Sequence, residues 1–159
     1  MIKICTTPFD IAERFVGVHE IPGPDDHPLI KWMISLCAPW MKEVHDEIAW
    51  CSAFVHAPAY LLQLDRWDRL NARGWLSVGQ SIELRDANVG FDVIVLQRGS
   101  EPQPGPEIIN APGHVGYFAG YDGGNEVEIL GGNQGNAVNR RRFPVEKILG
   151  VRRIPPFPV

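Results

Sequence analysis

The spacing of apolar residues changes once along this chain, near residue 90, and that change constrains the fold more than any other feature. Before it, apolar side chains recur at helical intervals. After it they come in short β-branched or aromatic runs bounded by glycine, proline and asparagine. Phe9, Ile11, Ala12, Phe15, Val16 and Val18 predict a first helix, capped by Thr7 or Asp10 and closed by Gly17 and the loop Ile21-Pro22-Gly23-Pro24. A second helix is expected over about 28–37, with Leu29, Trp32, Met33 and Leu36 on one face and Pro39 as its breaker. Asp46 fits as the N-cap of a third, running through Glu47, Ile48, Trp50, Cys51, Phe54 and Val55. Pro58 should kink or end it near Ala57, leaving 59–64 as a separate turn.

Residues 91–96, 114–119, 127–130 and 150–154 read as strands. Tyr121-Asp122-Gly123-Gly124-Asn125 is a strong turn, so the second and third runs should form an antiparallel hairpin. The 97–113 stretch, with four prolines and three glycines, is a long irregular connection of the kind that rims functional sites or is disordered. The tail Pro155-Pro156-Phe157-Pro158 cannot continue a sheet. Helices first and an antiparallel sheet afterwards is the α+β pattern. At 159 residues the expectation is one domain over 1–159, large enough to bury a core.

A formal charge of −4 gives no support for nucleic-acid binding. The basic clusters, Arg140-Arg141-Arg142 and Arg152-Arg153, are expected as a solvated strand edge and a solubilising end. No apolar run approaches the roughly 20 residues that span a bilayer, so no membrane insertion is expected. The N-terminus lacks the roughly 7–15-residue apolar core of a secretory signal. A substrate outside the cytoplasm would therefore require another delivery route. Three cysteines argue against a disulfide framework, and Cys5 and Cys37 read as small buried hydrophobes. Neither HExxH nor a paired Cys-x-x-Cys occurs.

Only Cys51 sits among residues that suggest chemistry. A cap at Asp46 would put it in the first turn or two of the third helix, where the helix end favours thiolate over thiol. His114 opens one hairpin strand in Gly113-His114-Val115-Gly116-Tyr117-Phe118. Asn133, in Leu130-Gly131-Gly132-Asn133-Gln134, lies just past the end of its partner strand. An antiparallel turn brings those two ends to one edge. Cysteine as nucleophile, histidine as base and asparagine as the residue orienting the ring is the order of a cysteine hydrolase. Such a pair is active between a lowered thiolate pKa and the imidazolium pKa. The alternative for Asn133 is a turn residue, since 131–136 is rich in turn formers. Glu47 either supports the helix as a first-turn acid or binds substrate amines, and Trp50 either lines the cleft beside the nucleophile or belongs to the core.

The run 46–55, Asp-Glu-Ile-Ala-Trp-Cys-Ser-Ala-Phe-Val, resembles the nucleophile segment of CHAP and NlpC/P60-type peptidoglycan hydrolases. It is most similar to a small phage- and prophage-associated group. Gly17-Val18-His19-Glu20-Ile21-Pro22-Gly23, the 113–118 and 130–134 segments and Ile148-Leu149-Gly150-Val151-Arg152-Arg153 agree with that group in order. The resemblance implies a papain-like α+β domain with Cys51 as nucleophile, His114 as general base and then acid, and Asn133 orienting the imidazole. It implies cleavage of an amide in the peptide part of bacterial peptidoglycan through a thioester acyl-enzyme, without cofactors. The substrate would be met in the periplasm or wall, after phage lysis or injection by a secretion system. An injected effector would need an immunity protein as partner. Two rivals stay open: a same-fold hydrolase acting on a protein or isopeptide amide, and a non-catalytic wall-binding or virion module. Many CHAP domains carry a glutamate where this chain has Gly131, so a carboxylate that orients the histidine must come from elsewhere. Asp92 is either that acid displaced or a surface charge.

Overall fold

The computed structural model describes residues 5–100 and 102–155; the expectations for 1–4 and 156–159 lie outside them. Thr7 and Asp10 together cap α1 (Pro8–Glu13) in a reciprocal box: the Thr7 side chain accepts from Asp10 N–H and the Asp10 carboxylate accepts from Thr7 N–H. Pro28 at the first helical position starts α2 (Pro28–Cys37) behind an N-cap His27. Its buried face is Ile30, Met33, Ile34 and Cys37, one step round from the face expected, and Trp32 is exposed.

The third helix differs most from expectation. α3 is Cys51–Leu61, with Trp50 as its N-cap and no side-chain cap. Asp46 instead accepts from the amides of Ile21 and His27 and so ties the 21–27 loop to the approach to α3. Pro58 does not end the helix. It lacks an N–H for the Phe54 carbonyl, and the next carbonyl, Val55 O, accepts the buried Tyr117 hydroxyl at 2.6 Å. Nine successive residues from Cys51 to Ala59 are buried, because α3 lies between α1, α2 and the sheet. An all-round buried helix has packing partners on every side, and these outweigh one missing backbone bond.

Six antiparallel strands follow in the spatial order β1-β6-β2-β3-β4-β5. They are β1 (Gln80–Ile82), β2 (Asp92–Gln97), β3 (Gly113–Tyr121), β4 (Glu126–Gly131), β5 (Asn139–Pro144) and β6 (Ile148–Arg153). The β3–β4 hairpin forms as predicted, whereas β1 and β5 carry too little apolar alternation to be read in advance. Arg140, Arg141 and Arg142 sit on β5, an exposed edge strand, where their charge blunts further pairing.

The two faces of the sheet bury different cores. Val93, Val95, Val115 and Tyr117 face the helices, while Ile94, Leu96, Phe118, Val127, Ile129 and Val151 face the other way. Among the described residues no α-helix covers that second face, though short 3-10 turns at 84–86 and 145–147 pack Leu84 and Val145 against it. The His114 and Phe143 rings lie 5.4 Å apart although β3 and β5 are two strands distant, about 10 Å in a flat sheet. The sheet therefore curls, and its second face closes on itself.

Candidate active site

α3 starts at the cysteine. The first helical bond is Phe54 N–H to Trp50 O at 2.9 Å, so the amides of Cys51, Ser52 and Ala53 precede the ladder. Trp50 is fully buried and donates its indole N–H to Glu20 at 2.8 Å. It lies in the core, one of the two places left open for it, and its bond to Glu20 fixes the helix start. Glu20 belongs to the 17–20 segment, which pairs along 136–138 through Gly17 N–H to Val138 O, Val138 N–H to Val18 O and Glu20 N–H to Asn136 O. One acid thereby couples three segments that are distant in sequence. Glu47 is exposed in the turn before Ile48, with no hydrogen bond or ion pair among the described residues.

The β3–β4 ladder ends with Tyr117 opposite Leu130, so His114 and Val115 have no partner on that side. The start of α3 occupies the opening. A Cβ on Gly132 would come within 2.4 Å of the Trp50 ring and 2.6 Å of Phe54 Cβ, a closeness that only glycine permits. His114 is nearly buried on the Leu96 and Phe143 side, while the Val115 amide lies against the Cys51 thiol. Ring and sulfur thus meet the same open edge from its two sides. Among the described residues no hydrogen bond joins Cys51 to His114 at rest.

The side chain that meets the His114 ring is Gln134, and no hydrogen bond joins Asn133 to it among the described residues. His114 Nε2 and Gln134 Oε1 are 2.9 Å apart. Gln134 Nε2 donates to the Asn139 carbonyl at 2.7 Å and to Asn139 Oδ1 at 2.9 Å, and Asn139 Nδ2 donates back to Gln134 O at 2.8 Å. A backbone carbonyl only accepts, so the Gln134 nitrogen must face Asn139 and its oxygen must face the ring. Nε2 of His114 therefore carries the proton, and Nδ1 holds the lone pair that a general base requires. Asn133 lines the same cavity but stands in the left-handed region at φ 57°, where asparagine is tolerated as a turn residue. A Cβ on Gly131 would lie 2.5 Å from Gln134 Oε1 and 3.2 Å from His114 Nε2. A larger side chain has no room at 131, because Gln134 fills the space.

Asp92 is not a displaced catalytic acid. It begins β2, at the far end from Leu96 and its partner His114, and holds Arg153 through two bonds of 2.8 and 2.7 Å. Arg73, which the sequence did not single out, is fully buried on carbonyls. It donates to Pro112 at 2.9 Å and to Pro104 and Gly105 at 2.8 Å each, fastening the connection that leads to His114.

Electrostatics reverse the expected ion pair. Burial pushes the Cys51 thiol up, against the opposing pull of the Val115 amide, the Arg98 charge and the amides of Ser52 and Cys51. Burial pushes His114 down to about 4; the Gln134 bond opposes this, and Arg98 and Arg141 add to it. At neutral pH the resting pair is thiol and imidazole. Burial outweighs the helix end because a helix terminus contributes at most about 2 kcal/mol, while desolvation shifts pKa values by up to about 3–5 units.

Among the described residues no group of three or more His, Cys, Asp or Glu is placed to hold a metal, and no helix is long and apolar enough to cross a membrane. No family model, curated protein or solved structure matches the chain.

Proposed function

We propose that this protein is a cysteine-dependent amidase or endopeptidase acting on the peptide moiety of bacterial peptidoglycan, with a papain-like arrangement of α3 against β3. The observation that carries the reading is the His114–Gln134–Asn139 chain, which fixes the ring as the Nε2–H tautomer at the edge where Cys51 begins a helix. His114 Nδ1 takes the thiol proton as the ring swings to Cys51, and the thiolate attacks the amide carbon. The tetrahedral oxyanion is met by amides at the start of α3, which have no helical acceptor. The imidazolium returns its proton to the departing amine as the C–N bond breaks, leaving a thioester. Water, deprotonated by the same ring, then releases the acid and restores the thiol.

The substrate class rests on the resemblance of the 17–23, 46–55, 113–118 and 130–134 segments to peptidoglycan hydrolases. Delivery by phage lysis or injection, and an immunity partner in the second case, belong to the same reading. One observation favours a second reading, a wall-binding or virion module that does not turn over: Cys51 is only 2% exposed. Incubating wild type and Cys51→Ala with isolated sacculi, with mass spectrometry of the released fragments, separates them. New amine and carboxylate ends from wild type alone support the hydrolase and name its bond. Equal retention of both proteins on uncut sacculi would favour the module. Intact sacculi without retention would direct attention to protein amides.

A further inference from the structure

Beside His114 the curled sheet leaves a cavity of about 180 Å³ whose charged lining is entirely cationic. Arg98 follows β2, Arg141 lies on β5 and Lys147 ends the turn between β5 and β6; His114, Gln134 and Phe143 form the wall between them. The chain has 19 Asp and Glu against 15 Lys and Arg, yet among the described residues no carboxylate lines this space. Nor does any of the three cations form an ion pair among the described residues. Three other basic side chains on the sheet are held: Arg153 by Asp92, Arg140 by Glu13, Arg152 by the Val78 and Gly79 carbonyls. Three like charges around one small space repel one another, and their mutual cost is removed by an anion between them. The volume admits roughly six waters at about 30 Å³ each, which suits a carboxylate with its first methylenes.

We propose that this cavity is an anion subsite that receives a carboxylate of the peptide being cut. The assignment deepens the hydrolase reading and rests on it for the word "cut", while the binding itself does not. It gives the site a way to couple occupancy to chemistry. Burial holds the imidazole neutral and Arg98 and Arg141 add to it, so a carboxylate placed among them offsets their share and strengthens the ring as a base. A neutral amide in the same place would not. The enzyme would thus select acidic peptides through the strength of its base as well as through affinity.

The test uses Cys51→Ala protein, so that nothing turns over, and follows the His114 ring by NMR at constant ionic strength. Succinate is the carboxylate probe, succinamide its neutral counterpart and inorganic phosphate the competing anion. The expected result is a saturable shift with succinate and a rise in the His114 pKa of about one to two units, from a charge roughly 5–10 Å away. Succinamide should produce neither effect. Replacing Arg98, Arg141 and Lys147 together by glutamine should abolish the response, and the free carboxylates of muropeptides should bind at least ~10-fold tighter than their amidated forms. A response to phosphate alone, equal responses to succinate and succinamide, or an undiminished response in the triple variant would each overturn the proposal. Uncut sacculi together with the charge-dependent shift would remove the hydrolase and keep the anion site. Cleavage without any shift would do the reverse.

Discussion

Replacing Gln134 by leucine tests the reading of the site more sharply than replacing the nucleophile. The side chain keeps its approximate volume but loses the acceptor for His114 Nε2–H and the donor to the Asn139 carbonyl. An unpaired buried polar group costs about 1–3 kcal/mol; His114 Nε2–H loses its partner in a nearly buried place, whereas the Asn139 carbonyl and Oδ1, which also lose theirs, belong to a partly exposed residue. The expected loss of stability is therefore about 2–4 kcal/mol, read from urea unfolding. With its tautomer no longer fixed, the ring should lose much of its value as a base, lowering kcat by about 10²-fold or more. Asn133→Gly is the companion. It removes a side chain from a backbone at φ 57°, so relief of strain and added chain entropy nearly cancel, within about 0.5 kcal/mol. Its activity should stay within a few-fold of wild type. Heteronuclear NMR of the ring nitrogens should find the Nε2–H form in Asn133→Gly and a mixture in Gln134→Leu. The reverse pattern, a silent Gln134→Leu and an inactive Asn133→Gly, would restore Asn133 and refute the argument from the Asn139 carbonyl.

Acid should destabilise the fold through His114. Its folded pKa of about 4 lies below the ordinary 6.5, so its contribution is present above pH 6.5 and is lost as pH falls toward 4. The loss is about 3 kcal/mol, read from urea midpoints at successive pH values, and a midpoint flat across that window would contradict it. Iodoacetamide at neutral pH should modify the exposed Cys5 first and Cys51 slowly, with Cys51 reactivity rising only above the usual thiol range. Rapid labelling of Cys51 at pH 7, mapped by peptide mass, would show instead a thiolate ready at rest. Gly131→Ala should cost about 1–3 kcal/mol and reproduce the activity loss of Gln134→Leu, because its Cβ enters the space of the Gln134 oxygen. Asp92→Asn should cost about 2–3 kcal/mol while leaving kcat unchanged, as befits a buried partner of Arg153 remote from the thiol. A kcat loss in that variant would return Asp92 to the site.

Local chemistry along the chain was enough to determine the α+β order, a cap at Thr7 or Asp10, the start of α2 near Pro28 and the β3–β4 hairpin. Each is a short-range choice made by proline, a capping pair or a turn sequence, and short-range choices are written in neighbouring residues. It also determined that Cys51 would stand near the start of a helix and His114 near the start of a strand. Where α3 starts was decided elsewhere. Asp46 was drawn away by the amides of Ile21 and His27, and Trp50 was anchored by Glu20, 30 residues earlier. That Gln134 meets the His114 ring also needed the tertiary structure, because adjacent residues point in different directions and only the position of Asn139 shows which amide is held. The neutral state of the Cys51–His114 pair is likewise a property of burial. A sequence names the ionisable groups, but only the folded chain decides how much water each of them keeps.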